Sequence, residues 1–443
     1  MVQLSSLLAG LAALQVAAAA PTNVALGATG RSLSISEDGT TASLDGRSID
    51  LREAFTRGAG CKPGKGPGGS PTGPMPGAKA IYFISNAANN SVVALKVAAN
   101  GSVSDGSITA TGGAGMSGVD STGAPAGADG LFSQGSVKVA GNTLLAVNPG
   151  SNTVSMFSIN PWDPTKLTMV GTPASTLGEF PVSVTISQKL AMACVANSGA
   201  KSGVACLSIT SNGLQPLDKA LRSIPLGQTT PPSGPLNTVS QTFFNADSTA
   251  LLTTVKGNPM VNNTGFISAF PVANGCVSPT ETRSSPNGTA VLFGVALLPG
   301  SNDKIFMTDA SFGAATVSLS AGLIGSTAAS TKIDGQMATC WATFSGATGT
   351  AFVTDVLVNR LVEIDPATGA IVKETAGATG NLGMIDLEGK GNFIYALAPG
   401  NTTAGTPATV SVWDVSGGKG TAKVVQNFAP QGVTDTVQGM AVM

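Results

Sequence analysis

The amino-acid sequence predicts an all-β protein, a seven-bladed β-propeller closed by its own C-terminal strand. Three observations lead to this fold class. A unit of strand, polar turn and strand occurs seven times, a short apolar segment precedes six of these hairpins, and the end of the chain supplies the segment that the first hairpin lacks. Repeats of this size are typical of propellers, and closing the ring removes free sheet edges.

The composition favours a sheet protein with many tight turns. The 443 residues include 57 Gly and 26 Pro, while charged residues make up only 11% of the chain. Gly and Pro are the main turn-forming residues, and sparse charge does not favour long exposed helices. A net charge of −1 gives no reason to expect a nucleic acid or an anionic membrane as partner.

The seven hairpins recur at intervals of roughly 40 to 60 residues. They begin at Ala80, Leu144, Leu190, Leu251, Lys304, Phe352 and Phe393. The upstream segments read LFSQGSVKV, GEFPVSVTIS, VSQTFFNADS, LFGVALLPGS, CWATFSGATG and LGMIDLEGKG. Their small residues suit an innermost strand, where blades crowd around the axis. The hairpin at Ala80 has no such segment, so Val437 to Val442 are predicted to pair with Ile81 to Ser85.

Three parts of the chain are expected. Residues 1–20 carry an apolar run that ends in small residues before Pro21, which predicts a secretory signal peptide. Residues 21–78 form an N-terminal extension with a Pro/Gly-rich linker, and residues 79–443 form the propeller. We therefore expect a secreted protein, extracellular or cell-wall associated, with no membrane partner.

Glycan acceptor triplets and cysteines agree with secretion. The predicted glycosylation sites are Asn89, Asn100, Asn262, Asn287 and Asn401. Cys194 and Cys206 lie on the two strands of one hairpin, nearly symmetric about its turn at Ala200, and are predicted to form a disulfide. The pairing of three further cysteines stays open: Cys61, Cys276 and Cys340.

Candidate ligand-binding residues come from loops that share one face of a propeller. The loops between the second and third strands, and the segments leading into each inner strand, meet at the mouth of the central channel. The candidates are Asp129, Gln134, Asn148, Asn197, Gln241, Lys256, Asp309, Asp355 and Arg360. Amides with a few charges suit a polar small molecule or a glycan. The alternative is that the Asn and Asp residues only make tight turns, and that Arg360 pairs with a nearby carboxylate.

Glu179 is the candidate catalytic residue. It begins an inner strand in a chain with little charge, where a carboxylate could act as general base; the alternative is a solvated residue at the top of a blade. The chain contains no histidine, which excludes a Ser-His-Asp triad and any His metal site. No cofactor and no metal are expected. Three tryptophans are predicted to pack between blades: Trp162, Trp341 and Trp413.

Several runs resemble those of fungal secreted proteins described as 3-carboxymuconate cyclase-like. These runs are GADGLFSQGSV, LAVNPGSNTVSMF, GEFPVSV, FVTDVLVNRLVEIDP and GNFIYALAPGN, and the resemblance covers residues 79–443. It implies membership of the seven-bladed lactonase and muconate-cyclising propellers. The enzymes of that family use a histidine, arginines and a glutamate at the channel mouth. Here histidine is absent, the propeller's arginines are Arg222, Arg283 and Arg360, and Glu179 is the available acid.

The function expected from these observations is that of a secreted fungal glycoprotein. It would bind a polar small molecule or a glycan, or act at the cell surface or host interface with a cell-wall or host component, and it would be a monomer. The missing histidine argues against catalysis. One alternative is a cycloisomerase or lactonase that acts on a carboxylated lactone or muconate. A second is a structural antigen without a small ligand, as the resemblance to secreted immunogens implies.

Overall fold

The computed structural model describes residues 77–443 in full and, before them, the backbone of four strands. The predicted signal peptide and Cys61 lie outside the described residues. The chain divides into two compact units, Met1–Cys61 and Lys62–Met443. In the first unit, neighbouring strands pair in chain order in one antiparallel sheet, namely β1 (Asn23–Leu26), β2 (Arg31–Ile35), β3 (Thr41–Leu44) and β4 (Arg47–Asp50).

The second unit is a seven-bladed β-propeller of antiparallel sheets, as the sequence predicts. Blade 1 contains β5 (Ala80–Ile84), β6 (Ser91–Val97) and β7 (Val103–Ala110). Blade 2 contains β8 (Val137–Ala140), β9 (Thr143–Asn148), β10 (Thr153–Ile159), β11 (Leu167–Met169) and β12 (Ala174–Ser175). Blade 3 contains β13 (Pro181–Ser187), β14 (Met192–Asn197), β15 (Gly203–Thr210), β16 (Gly213–Pro216) and β17 (Arg222–Ser223).

The remaining blades follow in the same order. Blade 4 contains β18 (Val239–Phe244), β19 (Ala250–Val255), the 3-10 helix Pro259–Val261, β20 (Phe266–Ala273), β21 (Cys276–Val277) and β22 (Thr282–Ser284). Blade 5 contains β23 (Leu292–Leu297), β24 (Lys304–Asp309), β25 (Gly313–Leu319) and β26 (Gly325–Lys332). Blade 6 contains β27 (Thr339–Ser345), β28 (Thr350–Asp355), β29 (Arg360–Ile364) and β30 (Ile371–Ala376). Blade 7 contains β31 (Ile385–Lys390), β32 (Phe393–Ala398), β33 (Thr409–Asp414) and β34 (Lys423–Phe428).

The last strand, β35 (Gln438–Val442), closes the ring by joining blade 1. It pairs antiparallel with β5, with Gln438 opposite Ile84 and Val442 opposite Ile81. The predicted closure is therefore confirmed. The backbone N–H of Lys79 also donates to the carbonyl of Met443 at 2.7 Å, which extends the pairing to the end of the chain.

The blades pack face to face through apolar strands. The inner three strands of each blade are mostly buried, whereas outer strands such as β30 and β34 alternate between exposed and partly buried residues. Trp341 and Trp413 are buried between blades as predicted. The prediction for Trp162 is wrong, because this side chain is 93% exposed. It lies in a turn of blade 2 that projects beyond the packed strands.

The predicted disulfide between Cys194 and Cys206 is confirmed. The two residues lie directly opposite each other on β14 and β15, with Cα atoms 4.1 Å apart. Cys340 is a buried thiol in β27. In the part of the chain that the structure describes, no helix is long and apolar enough to cross a membrane.

Truncation after Thr436 is predicted to destabilise the whole ring. It removes β35 together with the buried side chains of Val437, Met440 and Ala441. Losing several core side chains at once, each worth about 2 kcal/mol or more when large, should lower the free energy of unfolding by about 5 kcal/mol or more. Circular dichroism melts measure this. A truncated protein that melts like the full chain would contradict the role of closure.

Removal of the disulfide is predicted to lower stability by about 3 kcal/mol, the loop-closure contribution for a short loop. The double variant Cys194→Ala/Cys206→Ala would be compared with the wild type by urea denaturation. The difference between the two proteins should shrink when a reducing agent is added. Equal denaturation midpoints under oxidising conditions would mean that the bond does not stabilise the blade.

Candidate functional site

A short segment before β8 crosses the axis of the ring. This segment, residues 132–135, is the axial plug. The Ser133 hydroxyl donates to the carbonyl of Val182 in blade 3 at 2.9 Å, and the Trp341 indole N–H of blade 6 donates to the Ser133 carbonyl at 3.0 Å. The Gly135 N–H donates to the Asp386 carboxylate of blade 7 at 3.2 Å. The plug therefore bonds to blades on several sides of the axis.

Gln134 adds further hydrogen bonds between the axial plug and the blades. Its backbone N–H donates to the carbonyl of Ser240 in blade 4 at 2.9 Å. Its side-chain amide pairs with the backbone of Ala342 in blade 6, donating at 2.8 Å and accepting at 3.0 Å. These two bonds fix the orientation of the buried side-chain amide. The Gln134 amide spans the space between blades 2 and 6.

Two loops cover the plug from outside. The N–H of Val119 donates to the carbonyl of Pro232, and the N–H of Gly234 donates to the carbonyl of Val119, both at 2.9 Å. The buried Phe132 ring packs beneath them, and a Cβ atom on Gly234 would lie 2.2 Å from that ring. Only glycine allows so close an approach. The face that carries the second-to-third-strand loops, here called the plugged face, is therefore closed at the axis.

Asp129 and Lys256 meet beside the plug. The Lys256 ammonium donates to the Phe132 carbonyl at 2.6 Å and to the Ser240 hydroxyl at 2.9 Å, and lies 4.4 Å from the centroid of the Phe293 ring. Burial lowers the pKa of Lys256, and the nearby Asp129 carboxylate opposes that shift. Burial likewise raises the pKa of Asp129, whose carboxylate accepts from the Phe132 N–H at 2.9 Å. The side chains of Lys256 and Asp129 therefore hold the plug in place through hydrogen bonds to Phe132.

Four of the other candidates are buried and hydrogen-bonded within the propeller, and they brace the strand ends. They are Asn148, Asn197, Asp309 and Asp355. The Asp355 carboxylate accepts from the N–H groups of Met337, Ala338 and Leu357 at 2.8 to 2.9 Å. Asp309 accepts from the N–H of Ala290 at 2.7 Å. These bonds match the alternative in which Asn and Asp serve the turns.

Glu179 and Arg360 are engaged at separate places on the plugged face. The Glu179 carboxylate accepts from the Thr230 hydroxyl at 2.6 Å and is half-buried. Arg360 forms an ion pair with Glu374 at 2.7 Å, as the alternative predicts. Neither has a hydrogen bond or an ion pair to Asp129, Lys256 or the plug within residues 77–443. The structure therefore does not assemble an acid, a base and a cation around Glu179.

The channel is open on the opposite face, which carries the turns between first and second strands and is called here the open face. A cavity of about 710 Å³ lies there, lined by inner strands and their turns from blades 2 to 7, and Gln134 forms part of its wall. Gln241 also lines it and clamps two blades, because its amide oxygen accepts from the Val295 N–H at 2.6 Å. The sequence prediction placed the channel mouth on the other face.

Charged side chains inside this cavity were missed by the sequence reasoning. Lys138 on β8 and Glu388 on β31 form an ion pair at 2.9 Å in the cavity wall. The signal was present in the sequence, because each residue interrupts an otherwise apolar or small inner segment, VKV or IDLEGKG. Lys189 and Lys390 stand at the turns around the rim. The cavity thus carries three ammonium groups and one carboxylate.

Asp386 lies next to this ion pair. Burial raises the pKa of Asp386 to about 7, although Lys138 and the N–H groups of Gly135 and Leu387 oppose the shift. For Lys138, burial disfavours the ammonium, but Glu388 and Asp386 outweigh it and raise the pKa. Near neutral pH, Lys138 is therefore charged while Asp386 exchanges a proton. Among the residues that the structure describes, no cluster of three or more His, Cys, Asp or Glu could hold a metal ion.

Comparison with known proteins identifies the fold. The sequence matches no protein-family model and no curated protein. The structure is similar to the periplasmic gluconolactonase of Pseudomonas aeruginosa, with a TM-score of 0.55 and 14% identity over 82% of this chain and 99% of that one. It is also similar to a proposed 6-phosphogluconolactonase from Bacteroides fragilis, with a TM-score of 0.53 and 11% identity over 85% and 100% of the two chains.

A proposed 6-phosphogluconolactonase from Bacteroides uniformis shows the same likeness, with a TM-score of 0.51 and 15% identity over 66% of this chain and 83% of that one. The resemblance inferred from the sequence is confirmed at the level of the fold. Fungal origin and specificity for 3-carboxymuconate stay predictions. The chain has the seven-bladed propeller fold of its lactonase-like structural neighbours.

Proposed function

We propose that this protein is a secreted glycoprotein that binds an anionic, polar small molecule in the cavity on its open face. The cavity carries this proposal. Its volume of about 710 Å³ lies within the roughly 300–1,000 Å³ typical of ligand sites. The plugged face offers no comparable entry at the axis, because the axial plug occupies it.

The charges of the cavity favour an anion. Lys138 is paired with Glu388, and the Lys189 ammonium donates to the carbonyl of Asp247 at 2.8 Å, close to that residue's carboxylate. Lys390 therefore supplies the uncompensated positive charge at the rim, with Lys189 beside the same mouth. Within residues 77–443, the Lys390 ammonium has no hydrogen-bonding or ion-pair partner. A ligand carboxylate or phosphate would supply one, since charge-assisted hydrogen bonds are about twice as strong as neutral ones.

The uncharged lining favours a hydroxylated ligand. Thr185, Thr343 and Gln188 line the cavity together with the ends of apolar inner strands. Hydroxyl and amide groups both donate and accept hydrogen bonds, so they suit a molecule that carries many hydroxyl groups. A sugar acid combines such hydroxyls with an anionic group, and is the ligand class that this lining fits best.

The predicted glycan sites are compatible with an open cavity. Asn89, Asn262 and Asn401 lie in second-to-third-strand loops and Asn287 precedes β23, so all four are on the plugged face. Glycans there would leave the cavity mouth clear. Asn100 lies in the turn between β6 and β7, in blade 1, which does not line the cavity. The disulfide supports secretion, because such bonds persist mainly in oxidising compartments.

Lactone hydrolysis is the second candidate function. Its basis is that the cavity contains both a carboxylate, Glu388, and an ammonium group, Lys138, and that structural neighbours carry lactonase names. Glu388 would take a proton from water as the water oxygen bonds to the lactone carbonyl carbon, while Lys138 stabilises the oxyanion. The ring C–O bond then breaks and the leaving oxygen takes up the proton, which yields a hydroxy acid.

We predict that 6-phosphogluconate binds the wild-type protein saturably and that Lys189→Gln/Lys390→Gln weakens this binding at least about tenfold. Each lost charge-assisted hydrogen bond is worth roughly 1.5–3 kcal/mol, and about 1.4 kcal/mol corresponds to a factor of ten in affinity. Isothermal titration calorimetry at low salt measures the effect.

Lys304→Gln is the matched control for this test, because Lys304 is an exposed lysine near the same face that does not line the cavity. Its affinity should equal that of the wild type. Binding that is absent, or that survives in the double variant, would refute the proposed site.

We predict no hydrolysis of glucono-1,5-lactone and no 3-carboxymuconate cyclisation above the uncatalysed rates. The chain has no imidazole for proton transfer, and the cavity carboxylate that would replace it is held by Lys138. A pH-stat assay and a spectrophotometric assay measure the two reactions. Turnover that is lost in Glu388→Gln but kept in Glu179→Gln would establish the lactonase candidate at the cavity. The reverse pattern would place catalysis at Glu179.

A further inference from the structure

The exposed side chain of Trp162 indicates a second candidate binding site. Its indole is 93% exposed, although tryptophan is usually largely buried in folded proteins. Tryptophan is also the residue type most enriched where proteins bind partners and ligands, because one side chain offers a large, stiff apolar plane. An indole held in water at the rim of a groove therefore indicates a binding function.

The turn that carries Trp162 is rigid. It reads Asn-Pro-Trp-Asp-Pro from Asn160 to Pro164. The Asn160 side chain accepts from the N–H groups of Trp162 at 2.9 Å and Asp163 at 3.1 Å. Asp163 in turn accepts from the Thr165 hydroxyl at 2.7 Å. The two prolines fix their own φ angles, so little conformational entropy remains to be lost when a ligand binds.

This turn belongs to blade 2 but is anchored on blade 1. The Tyr82 hydroxyl donates to the carbonyl of Pro164 at 2.7 Å, and the Ser107 hydroxyl donates to the carbonyl of Thr165. A Cβ atom on Gly106 would lie 2.6 Å from the Thr165 side chain, so the two blades are in close contact here. The turn thus bridges two blades, and the indole stands at the edge of the groove between them.

The groove has a volume of about 540 Å³ and a mixed polar and apolar lining. Trp162 is its aromatic wall, and the charged residues that line it are Lys79, Lys96, Asp105 and Asp163. The two ammonium groups and two carboxylates of the lining cancel formally. Outside the lining, the exposed Lys166 forms an ion pair with Asp163 at 3.6 Å. The lining itself therefore offers hydrogen-bond donors and acceptors without a surplus of either charge.

We propose that this groove binds a neutral oligosaccharide. The C–H face of a pyranose ring is apolar and flat enough to cover an indole, while its equatorial hydroxyls donate to carboxylates and accept from ammonium groups. An anionic or cationic ligand would gain nothing from the balanced charges, and a purely apolar ligand would bury those charged groups without partners. None of the residues that line this groove lines the cavity on the open face, so this proposal is independent of the proposed function.

The test uses neutral hexaoses as probes: laminarihexaose, cellohexaose, N-acetylchitohexaose and mannohexaose. Trp341 and Trp413 are buried, so the acrylamide-quenchable fluorescence of the wild type reports Trp162. At least one hexaose should reduce this quenching saturably. Calorimetry with that hexaose should then show a loss of at least about tenfold in affinity for Trp162→Ala and a smaller loss for Trp162→Tyr, which keeps an aromatic plane.

Met260→Ala is the control, because Met260 is 89% exposed in another part of the propeller. Lys189→Gln/Lys390→Gln should keep hexaose binding, and Trp162→Ala should keep 6-phosphogluconate binding, which separates the two sites. The proposal is overturned if no hexaose binds, or if Trp162→Ala binds as the wild type does. It is also overturned if sedimentation shows that Trp162 instead mediates dimerisation of the chain.

Discussion

The pairing of the last strand with the first hairpin is the constraint on which the rest of the propeller depends. Each blade buries both of its faces against neighbours, so a gap between β35 and β5 would expose two apolar faces and two sheet edges at once. The axial plug can form only in a closed ring, because its hydrogen bonds reach blades on several sides of the axis. The plug and the channel that it closes therefore depend on closure of the ring.

The plug makes the two ends of the central channel different. A symmetric ring of blades would be open at both ends, but residues 132–135 bring backbone carbonyls and N–H groups to the axis that must be satisfied there. Lys256 satisfies one of these carbonyls, and Trp341 satisfies another. Within residues 77–443, the result is a channel that is closed at the plugged face and accessible from the open face.

The sequence predicts what is local and periodic. The inner strands can be recognised in the sequence because both of their faces are buried, which makes them continuously apolar. The outer strands cannot, because residues such as those of β30 alternate between exposed and partly buried positions and give no strong apolar signal. Gln134 and Lys256 could be assigned to the channel from their positions before and after strands. Which end of the channel is open could not be predicted from the sequence. It depends on the axial plug, residues 132–135, which bonds to blades that are distant in the sequence.

Polar residues that the fold itself uses are poor guides to function in this protein. Asp309 and Asp355 recur at equivalent strand ends because their carboxylates satisfy backbone N–H groups, and repetition alone made them look like a site. Lys390 and Trp162 stand outside that set of strand ends, and within residues 77–443 neither side chain has a hydrogen-bond or ion-pair partner. A group that costs side-chain entropy or exposes apolar surface without stabilising the fold is best explained by what it contacts outside the fold. On that reasoning we place the proposed functions on the open face and in the groove between blades 1 and 2, away from the mouth that the family resemblance implied.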